Sequence, residues 1–477
     1  MSDPTARRLL GRLLMAAAVA GLAGPRPADA AGAADPAELA REIAALKQRL
    51  ESLENGELLL ANHNSGPAAC EDLGCSAGCD GGCGDLCGDG CGDLCGDALY
   101  GGCCDCSECA GYDDGYYVRT RDGAFSVRLN GALQTGYFGN WRHDPPAGED
   151  PFEGGFVMRR STLVVSGTAF SPSLNYFVVL QPINSGGSDQ LEEAKVYYGF
   201  ENGALIQVGR FRDPSFLREL DVPLTNILGV DRSYVHTIFS TGILEGIALN
   251  QQTDMLRTFF IVHDGRGSGG PGRGADFTTD NSDIALSGSV DIKLFGEWAQ
   301  YGDFTSWCDE EWAMFIGAGA YWERGETGDD VPANNLENLT GWTIDWTLEG
   351  HGVNAFVSAV GRHGDNPTQP LDQFGFLAQG GVHVVPDAFE LFTRYEYIDF
   401  DGLTDVGGAA VPVSDSSLSM LSVGFNRYYH RQGAKITCEV MHAFDTVPVA
   451  DPFIGWLADS PGQDGQTVFR SQLQLAF

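Results

Sequence analysis

The sequence has few basic residues. It contains 29 Lys and Arg against 65 Asp and Glu in 477 residues, which gives a formal net charge of -36. Proteins that bind nucleic acid need a basic surface that displaces counterions from the phosphates. The acidic balance therefore argues against a nucleic-acid partner.

Long apolar runs and enzyme signatures are also missing. A transmembrane helix needs about 18 or more consecutive apolar residues, and no such run follows the amino-terminal segment. No Gly-x-Ser-x-Gly joins a strand to a helix, there is no His-Glu-x-x-His, and the 9 His residues are scattered. We therefore expect no enzymatic activity and no cofactor, although a Ser, His and carboxylate meeting on one wall is not excluded.

Residues 1–30 have the organisation of an export signal. Arg7, Arg8 and Arg12 form a basic start, Leu13–Leu22 is a short apolar stretch, and Ala28–Ala30 fits a small-x-small cleavage site. We expect cleavage after residue 30 and export by the general secretory route. A short buried helix is the alternative.

A short helix is predicted over residues 35–60. Asp35 is a good N-cap, Pro36 suits the first helical position, and Glu38 falls three residues after the cap. Apolar residues follow at coiled-coil spacing at Leu39, Ile43, Leu46, Leu50 and Leu53. We predict a periplasmic coiled coil, with a monomeric amphipathic helix as the alternative.

Residues 66–115 form a linker rich in cysteine, glycine and aspartate. Its regular part repeats every four residues at Cys75, Cys79, Cys83, Cys87, Cys91 and Cys95. Such a composition has too little apolar surface to form a core. Export favours disulfides, metal binding is an alternative, and a reduced flexible linker is a third. No metal site is assigned. Cys308 and Cys438 stand apart as small inert residues.

Residues 118–477 alternate between apolar and polar side chains. In the last strand Phe469, Leu473, Leu475 and Phe477 share one face, and Arg470 lies on the other. The segment that begins at Leu339 alternates in the same way. A soluble sandwich and a membrane barrel both produce this pattern, with opposite faces in contact with water.

The lengths of the connections separate these two architectures. Candidate strands begin near Phe125, Phe156, Leu174, Gln190, Ala204, Gly242, Thr253, Asp283, Trp312, Thr340, Val353, Asp372, Ala388, Ser416, Ala434 and Thr467. Short turns such as Glu201–Gly203 alternate with long polar loops such as Arg212–Thr241, and Leu294–Glu311 is an exception. This alternation is typical of bacterial outer-membrane barrels. We predict an all-β fold, a transmembrane antiparallel β-barrel of about sixteen strands.

Five segments of the barrel region carry a family resemblance: Gly155–Leu163 with Gly167, Leu191–Tyr198, Ile206–Pro214, Phe389–Phe400 and Leu475–Phe477. In the order and spacing of these segments the chain resembles the phosphate-selective porins of the O and P type, a family of sixteen-stranded trimeric channels. The resemblance covers residues 125–477 and leaves out the cysteine tract. It implies passive transport through a homotrimer in the outer membrane.

The resemblance also implies a pore constriction and an anion path. In porins the third outer loop folds inward, and here that loop carries Arg212, Arg218 and Arg232; a solvated outer cap is the alternative. Inward arginines, which bind anions in phosphate-selective relatives, are expected by strand parity at Arg128, Arg160, Arg394 and Arg470. The same parity places acidic residues in the lumen at Asp345, Glu349, Glu390 and Glu396. Each arginine could instead pair with a carboxylate of the wall.

The leading hypothesis is an outer-membrane porin for small hydrophilic solutes, including anions such as phosphate. Its expected partners are outer-membrane lipids, two further copies of the chain, and the outer-membrane assembly machinery, for which Phe477 is the recognition signal. One alternative is a structural barrel that anchors a disulfide-linked or metal-binding periplasmic segment. A secreted soluble β-protein with a metal-binding tract is a further alternative.

Overall fold

The computed structural model describes residues 109–113, 115–145, 148, 150–184, 190–266, 282, 284–324, 338–365, 370–406, 409–412, 417–451, 453–459 and 462–477. The predicted export signal, the predicted coiled coil and the cysteines from Cys75 to Cys95 lie outside these residues. Among the described residues, no helix is long and apolar enough to cross a membrane.

In the part of the chain that the structure describes, sixteen strands form a closed antiparallel barrel. They are β3 (Ser126–Arg142), β4 (Phe152–Ala169), β5 (Ser171–Asn184), β6 (Gln190–Gly199), β7 (Ala204–Arg212), β8 (Ile243–Gln252), β9 (Leu256–His263), β10 (Ile284–Phe295), β11 (Ala313–Arg324), β12 (Asn338–Gly350), β13 (Val353–Asp365), β14 (Leu371–Val385), β15 (Phe389–Asp399), β18 (Ser417–His430), β19 (Ala434–Ala443) and β20 (Gln466–Ala476). Each strand pairs with its neighbour in sequence, and β20 closes the ring on β3 from Gln466↔Arg142 to Ala476↔Ala132. The prediction of an all-β barrel is confirmed.

Two small hairpins accompany the barrel. Strands β1 (Ala110–Tyr112) and β2 (Tyr116–Arg119) pair with each other. Strand β2 also pairs with residues 126–129 at the start of β3, just before the stretch of β3 that pairs with β20. Strands β16 (Leu403–Val406) and β17 (Ala409–Pro412) form a hairpin between β15 and β18. The hairpin of β1 and β2 therefore continues the line of β20 at one rim of the barrel.

Alternation along the strands gives the barrel an apolar outer face. On β20, Leu473 and Leu475 are 52% and 49% exposed, whereas Val468 and Arg470 are 0% exposed. On β12, Trp342 and Ile344 face outward and Asp345 is buried. The apolar residues on the outer face of these strands have the orientation that surrounding lipid would require.

The connections differ in detail from those expected. Residues 171–173 belong to β5, and the chain reverses at Phe170, whose φ is 66°. Gln251 and Gln252 belong to β8, so the next turn is at residues 253–255. Strand ladders extend into turns because backbone pairing continues as long as both strands supply partners. The connection 296–312 is long, as the sequence indicated.

Three connections pack inside the barrel. We call residues 213–242 the inward loop; it contains α1 (Arg218–Asp221) and α2 (Tyr234–Phe239). The connection 296–312, with a 3₁₀ helix at Trp298–Gly302, meets it where the Phe304 N–H donates to the Asn226 carbonyl at 3.1 Å. The connection 444–465 meets it where the Tyr234 hydroxyl donates to the Val449 carbonyl at 2.6 Å. A buried apolar cluster joins all three to the inner wall.

Candidate functional site: a channel beside the inward loop

The wall holds the inward loop by its backbone. Side chains from six strands around the barrel donate hydrogen bonds to its carbonyl oxygens: Gln134 to Leu224 at 3.4 Å, Gln474 to Thr225 at 3.0 Å, Lys435 to Ile227 at 3.0 Å, Asn426 to Leu228 at 3.0 Å, Arg394 to Asp231 at 3.1 Å and Arg362 to Ile238 at 3.0 Å. These donors lie on β3, β13, β15, β18, β19 and β20. A segment that contacts all of these strands from within lies across the lumen, so this loop is not an outer cap.

Carboxylates of the wall bind the N–H groups of the inward loop. Glu396 Oε2 accepts from the Tyr234 and Val235 N–H groups at 2.5 and 3.0 Å, at the start of α2. Glu439 Oε1 accepts from the Val230 N–H at 2.8 Å. The first N–H groups of a helix lack partners within the helix, and Glu396 supplies one. The loop is thus fixed by both donors and acceptors of the wall.

A charged layer lies between the inward loop and strands β4, β6 and β7. It consists of Arg159, Arg160, Lys195, Arg212, Glu192, Glu193 and Asp231. Arg159 and Arg160 both contact Asp231, at 2.7 and 2.8 Å, and Arg212 contacts Glu192 at 2.6 Å. Lys195 contacts Glu193 at 3.0 Å. Four cations against three carboxylates leave a formal charge of about one positive unit on this layer when every group is ionised at neutral pH.

Two β-bulges place extra charged residues in this layer. Between β3 and β4 the register passes from Gln134↔Arg160 to Thr135↔Met158, which leaves Arg159 as the additional residue. Between β5 and β6 it passes from Val179↔Glu193 to Leu180↔Leu191, which leaves Glu192 as the additional residue. A bulge re-aims side chains relative to simple alternation. Two consecutive arginines and two consecutive glutamates therefore face the same layer.

Asp231 is the centre of this layer on the inward loop. Burial by itself would raise the pKa of the Asp231 carboxyl, but the neighbouring guanidinium groups of Arg159 and Arg160 outweigh it. The pKa of Asp231 consequently lies well below its ordinary range. The carboxylate is ionised at neutral pH and holds both arginines.

A cavity of about 790 Å³ lies beside the inward loop. Its wall comes from β3 to β9, its other side from the loop between Pro214 and Asn226, and one end lies at the rim formed by Gln432 and Phe477. Arg160, Glu193, Lys195 and Arg212 also line it. Within the described residues this cavity is an open space inside the barrel, and it reaches the charged layer.

Two of the predicted arginines, Arg160 and Arg212, lie on this path. Arg128 lies farther towards the rim and contacts Asp113 at 3.3 Å. Arg218 stacks on Tyr301 with 3.6 Å between its Cζ atom and the ring centre, and it donates to the Tyr301 carbonyl at 2.9 Å. The structure places Arg218 in the packing between two inner connections.

The other three predicted arginines are buried outside the lining of the cavity. Arg232 donates to the carbonyls of Leu220 and Val222 at 3.3 and 3.0 Å within the inward loop. Arg394 donates to Gln379 at 3.0 Å besides the Asp231 carbonyl. Arg470 contacts Glu439 at 2.7 Å and donates to the Ile454 carbonyl at 3.1 Å.

The four predicted acidic residues point inward and are buried. Glu390 accepts from the Tyr428 hydroxyl at 2.6 Å and from Asn426 and Asn354 at 3.0 and 2.9 Å. Glu396 binds α2 as described above. Asp345 and Glu349 are 6% and 0% exposed, and Asp345 lines a small pocket together with Tyr301 of connection 296–312. None of the four lines the cavity.

Arg159, Glu192 and Lys195 belong to the charged layer but were not predicted from the sequence. Simple alternation places Arg159 on the face opposite to Arg160, and only the bulge brings both to Asp231. Lys195 shares its face with Glu193, so a closer reading of β6 could have identified it. Among the described residues, no three His, Cys, Asp or Glu side chains form a metal-binding group. Cys308 and Cys438 are free thiols.

Comparisons with known proteins identify similar barrels at low identity. No protein-family model and no curated protein matches the sequence. Among solved structures, the chain is similar to an anion-selective porin from Comamonas acidovorans, with 11% identity, 74% of this chain and 100% of that chain covered, and a TM-score of 0.49. It is also similar to the outer-membrane channel DcaP of Acinetobacter baumannii, with 10% identity, coverages of 75% and 99%, and a TM-score of 0.46. OmpT of Vibrio cholerae gives 12% identity, coverages of 74% and 98%, and a TM-score of 0.47.

Proposed function

We propose that this protein is an outer-membrane channel for passive diffusion of small hydrophilic solutes, with a modest preference for anions. The observation that carries this proposal is the cavity of about 790 Å³, which runs from one rim to the charged layer inside a closed barrel with an apolar outer face. The inward loop forms one side of this cavity and so narrows the lumen. Solutes would cross beside the loop rather than through the centre.

The anion preference follows from the charged layer. Its four cations and three carboxylates leave one positive unit beside the cavity, and rings of basic residues select anions. This arrangement differs from an arginine ladder, because Arg394 and Arg470 are buried in contacts with the inner connections. We therefore propose small anions in general as solutes, with phosphate as one member of that class.

Reversal potential in planar bilayers tests this function. In a tenfold KCl gradient the full chain should carry current with a modest anion preference, and Arg160→Gln should lower that preference because it removes one cation from the layer. Arg427→Gln is the matched control, since Arg427 on β18 donates to the Ala388 carbonyl at 2.9 Å and does not line the cavity. A reversal potential that moves equally in both variants would contradict selection at the charged layer.

A structural barrel without transport is the second candidate. The observation that favours it is the filling of the lumen by three inner connections, which join one buried apolar cluster. A correctly assembled barrel that carries no current in the same bilayers would support the structural role over the channel.

The proposed environment gives the exposed apolar residues a function. Outer-membrane lipid, and two further copies of the chain in a trimer, would cover side chains such as Phe156, which is 91% exposed. The rim that carries the short turns would face the periplasm, together with the predicted amino-terminal helix and cysteine tract. Phe477 would be the signal read by the assembly machinery.

A further inference from the structure

The wall of the cavity is more apolar than a water-filled pore requires. Inward positions on β4 to β9 carry Val164, Phe177, Val179, Leu205 and Phe259, and all five line the cavity. Pore interiors of outer-membrane barrels are ordinarily polar. Phe177 and Phe259 remain half-buried, so their rings are only partly covered by the inward loop.

Cationic and amide groups surround this apolar wall. Lys195 Nζ lies 4.8 Å from the centre of the Phe177 ring, next to Glu193 at 3.0 Å. Gln207 and Asn250 line the same cavity. Binding sites for small molecules are typically apolar cavities of about 300–1,000 Å³ with a few polar groups that fix orientation. A volume of about 790 Å³ falls in that range.

We infer that the cavity is a binding site for small amphipathic organic anions, in which Phe177 and Phe259 contact the apolar body and the Lys195 and Arg160 side of the charged layer attracts the carboxylate. This inference rests on the proposed channel and specifies its solute class. Neither half of the site is sufficient alone: a simple inorganic anion lacks the apolar body, and a neutral aromatic solute lacks the charge.

Four small probes separate these contributions. Phenylacetate carries both features, acetate only the charge, 2-phenylethanol only the apolar body, and phenethylammonium the opposite charge. In KCl bilayers, phenylacetate should block the current at a concentration about tenfold lower than any other probe, a difference equal to about 1.4 kcal/mol. Equal block by acetate would show that charge alone acts, and equal block by 2-phenylethanol would show that the cations do not contribute. Either result would overturn the inference.

Two variants and a control locate the site. Phe259→Ala should raise the half-blocking concentration of phenylacetate about tenfold, because burial of apolar surface is lost. Phe260→Ala is the control, since Phe260 is the next residue on β9 but is 55% exposed on the outer face. Lys195→Gln should raise the half-blocking concentration of phenylacetate and leave that of 2-phenylethanol unchanged. Equal effects of Phe259→Ala and Phe260→Ala would overturn the assignment of the cavity.

Equilibrium dialysis of the full chain in detergent distinguishes failure of this site from failure of the proposed function. If a barrel that carries no KCl current binds phenylacetate specifically, the proposed channel function is contradicted and the proposed binding site is supported. If the barrel conducts KCl but neither binds phenylacetate nor is blocked by it, the channel function is supported and the proposed binding site is overturned.

Discussion

Replacing Asp231 by asparagine tests how the inward loop is fixed. The Asp231 side chain is 5% exposed and contacts Arg159 and Arg160 at 2.7 and 2.8 Å. Removing one partner of a buried ion pair leaves the other charge uncompensated, which typically costs about 3–5 kcal/mol. We expect Asp231→Asn to lower the free energy of unfolding by about 3 kcal/mol, measured by urea titration of the barrel folded into lipid vesicles.

The same substitution changes the charge of the path. Loss of one carboxylate raises the formal charge of the charged layer from about one to about two positive units when the other groups stay ionised. The anion-to-cation permeability ratio should therefore rise, opposite to the effect expected for Arg160→Gln. Asp309→Asn is the control, because Asp309 is 66% exposed and exposed pairs contribute about 0–1 kcal/mol.

The pH dependence supplies a separate check. Since the pKa of folded Asp231 lies below the unfolded value of about 3.9, its stabilising effect is complete above that value and is lost as pH falls towards the folded pKa. The stability difference between the native protein and Asp231→Asn should stay constant from pH 8 to about pH 5 and shrink below about pH 4. Equal stability of the two proteins at pH 7, or a lower anion preference in the variant, would refute the role given to Asp231.

Three further predictions concern the wall, the chain end and the inward loop. Val208→Arg should destabilise the vesicle-inserted barrel by about 2–4 kcal/mol, because Val208 lies on the outer face that lipid would cover. Gln207→Arg on the cavity face should raise anion preference with little loss of stability, and equal urea midpoints of the two variants would contradict these orientations. Removal of Phe477 should reduce the fraction of chains inserted in the outer membrane more than the fraction exported, because the proposed assembly signal is lost together with two backbone hydrogen bonds to Gly131, at 2.7 and 2.9 Å. Unchanged insertion in fractionated cells would contradict the role of Phe477 as a signal. Replacing the inward loop by a short Gly-Ser linker should raise single-channel conductance severalfold, and an unchanged conductance would mean that the loop does not narrow the path.

The strands could be predicted from the sequence because alternation is local. Leu473 and Arg470 take opposite faces for the same geometric reason that any strand separates neighbouring side chains, and the expected strand starts fall within a few residues of those observed. The positions of the turns were predicted less accurately. Phe170, for example, adopts a left-handed conformation that its residue type does not favour.

The path could be predicted only in part. Arg160 and Arg212 were identified by parity and by their place near the third long loop. Arg159, which belongs to the adjoining charged layer, was not identified. A β-bulge depends on the register of two strands, and alternation within one strand does not reveal it. Arg232 and Arg470 were expected in the path, yet Arg232 donates to the Val222 carbonyl within the inward loop and Arg470 contacts Glu439 on β19. Alternation along one strand does not reveal either contact.

The way in which the wall holds the inward loop bears on how the protein can change through mutation. Six wall side chains contact carbonyl oxygens that every residue type possesses, at positions such as Thr225, Ile227 and Leu228. Substitutions at these positions keep the acceptor, provided the backbone course is retained. Residues of the loop that face the cavity, such as Leu224, can therefore be exchanged without releasing the loop. Solute preference can diverge between descendants of this barrel while its scaffold stays unaltered.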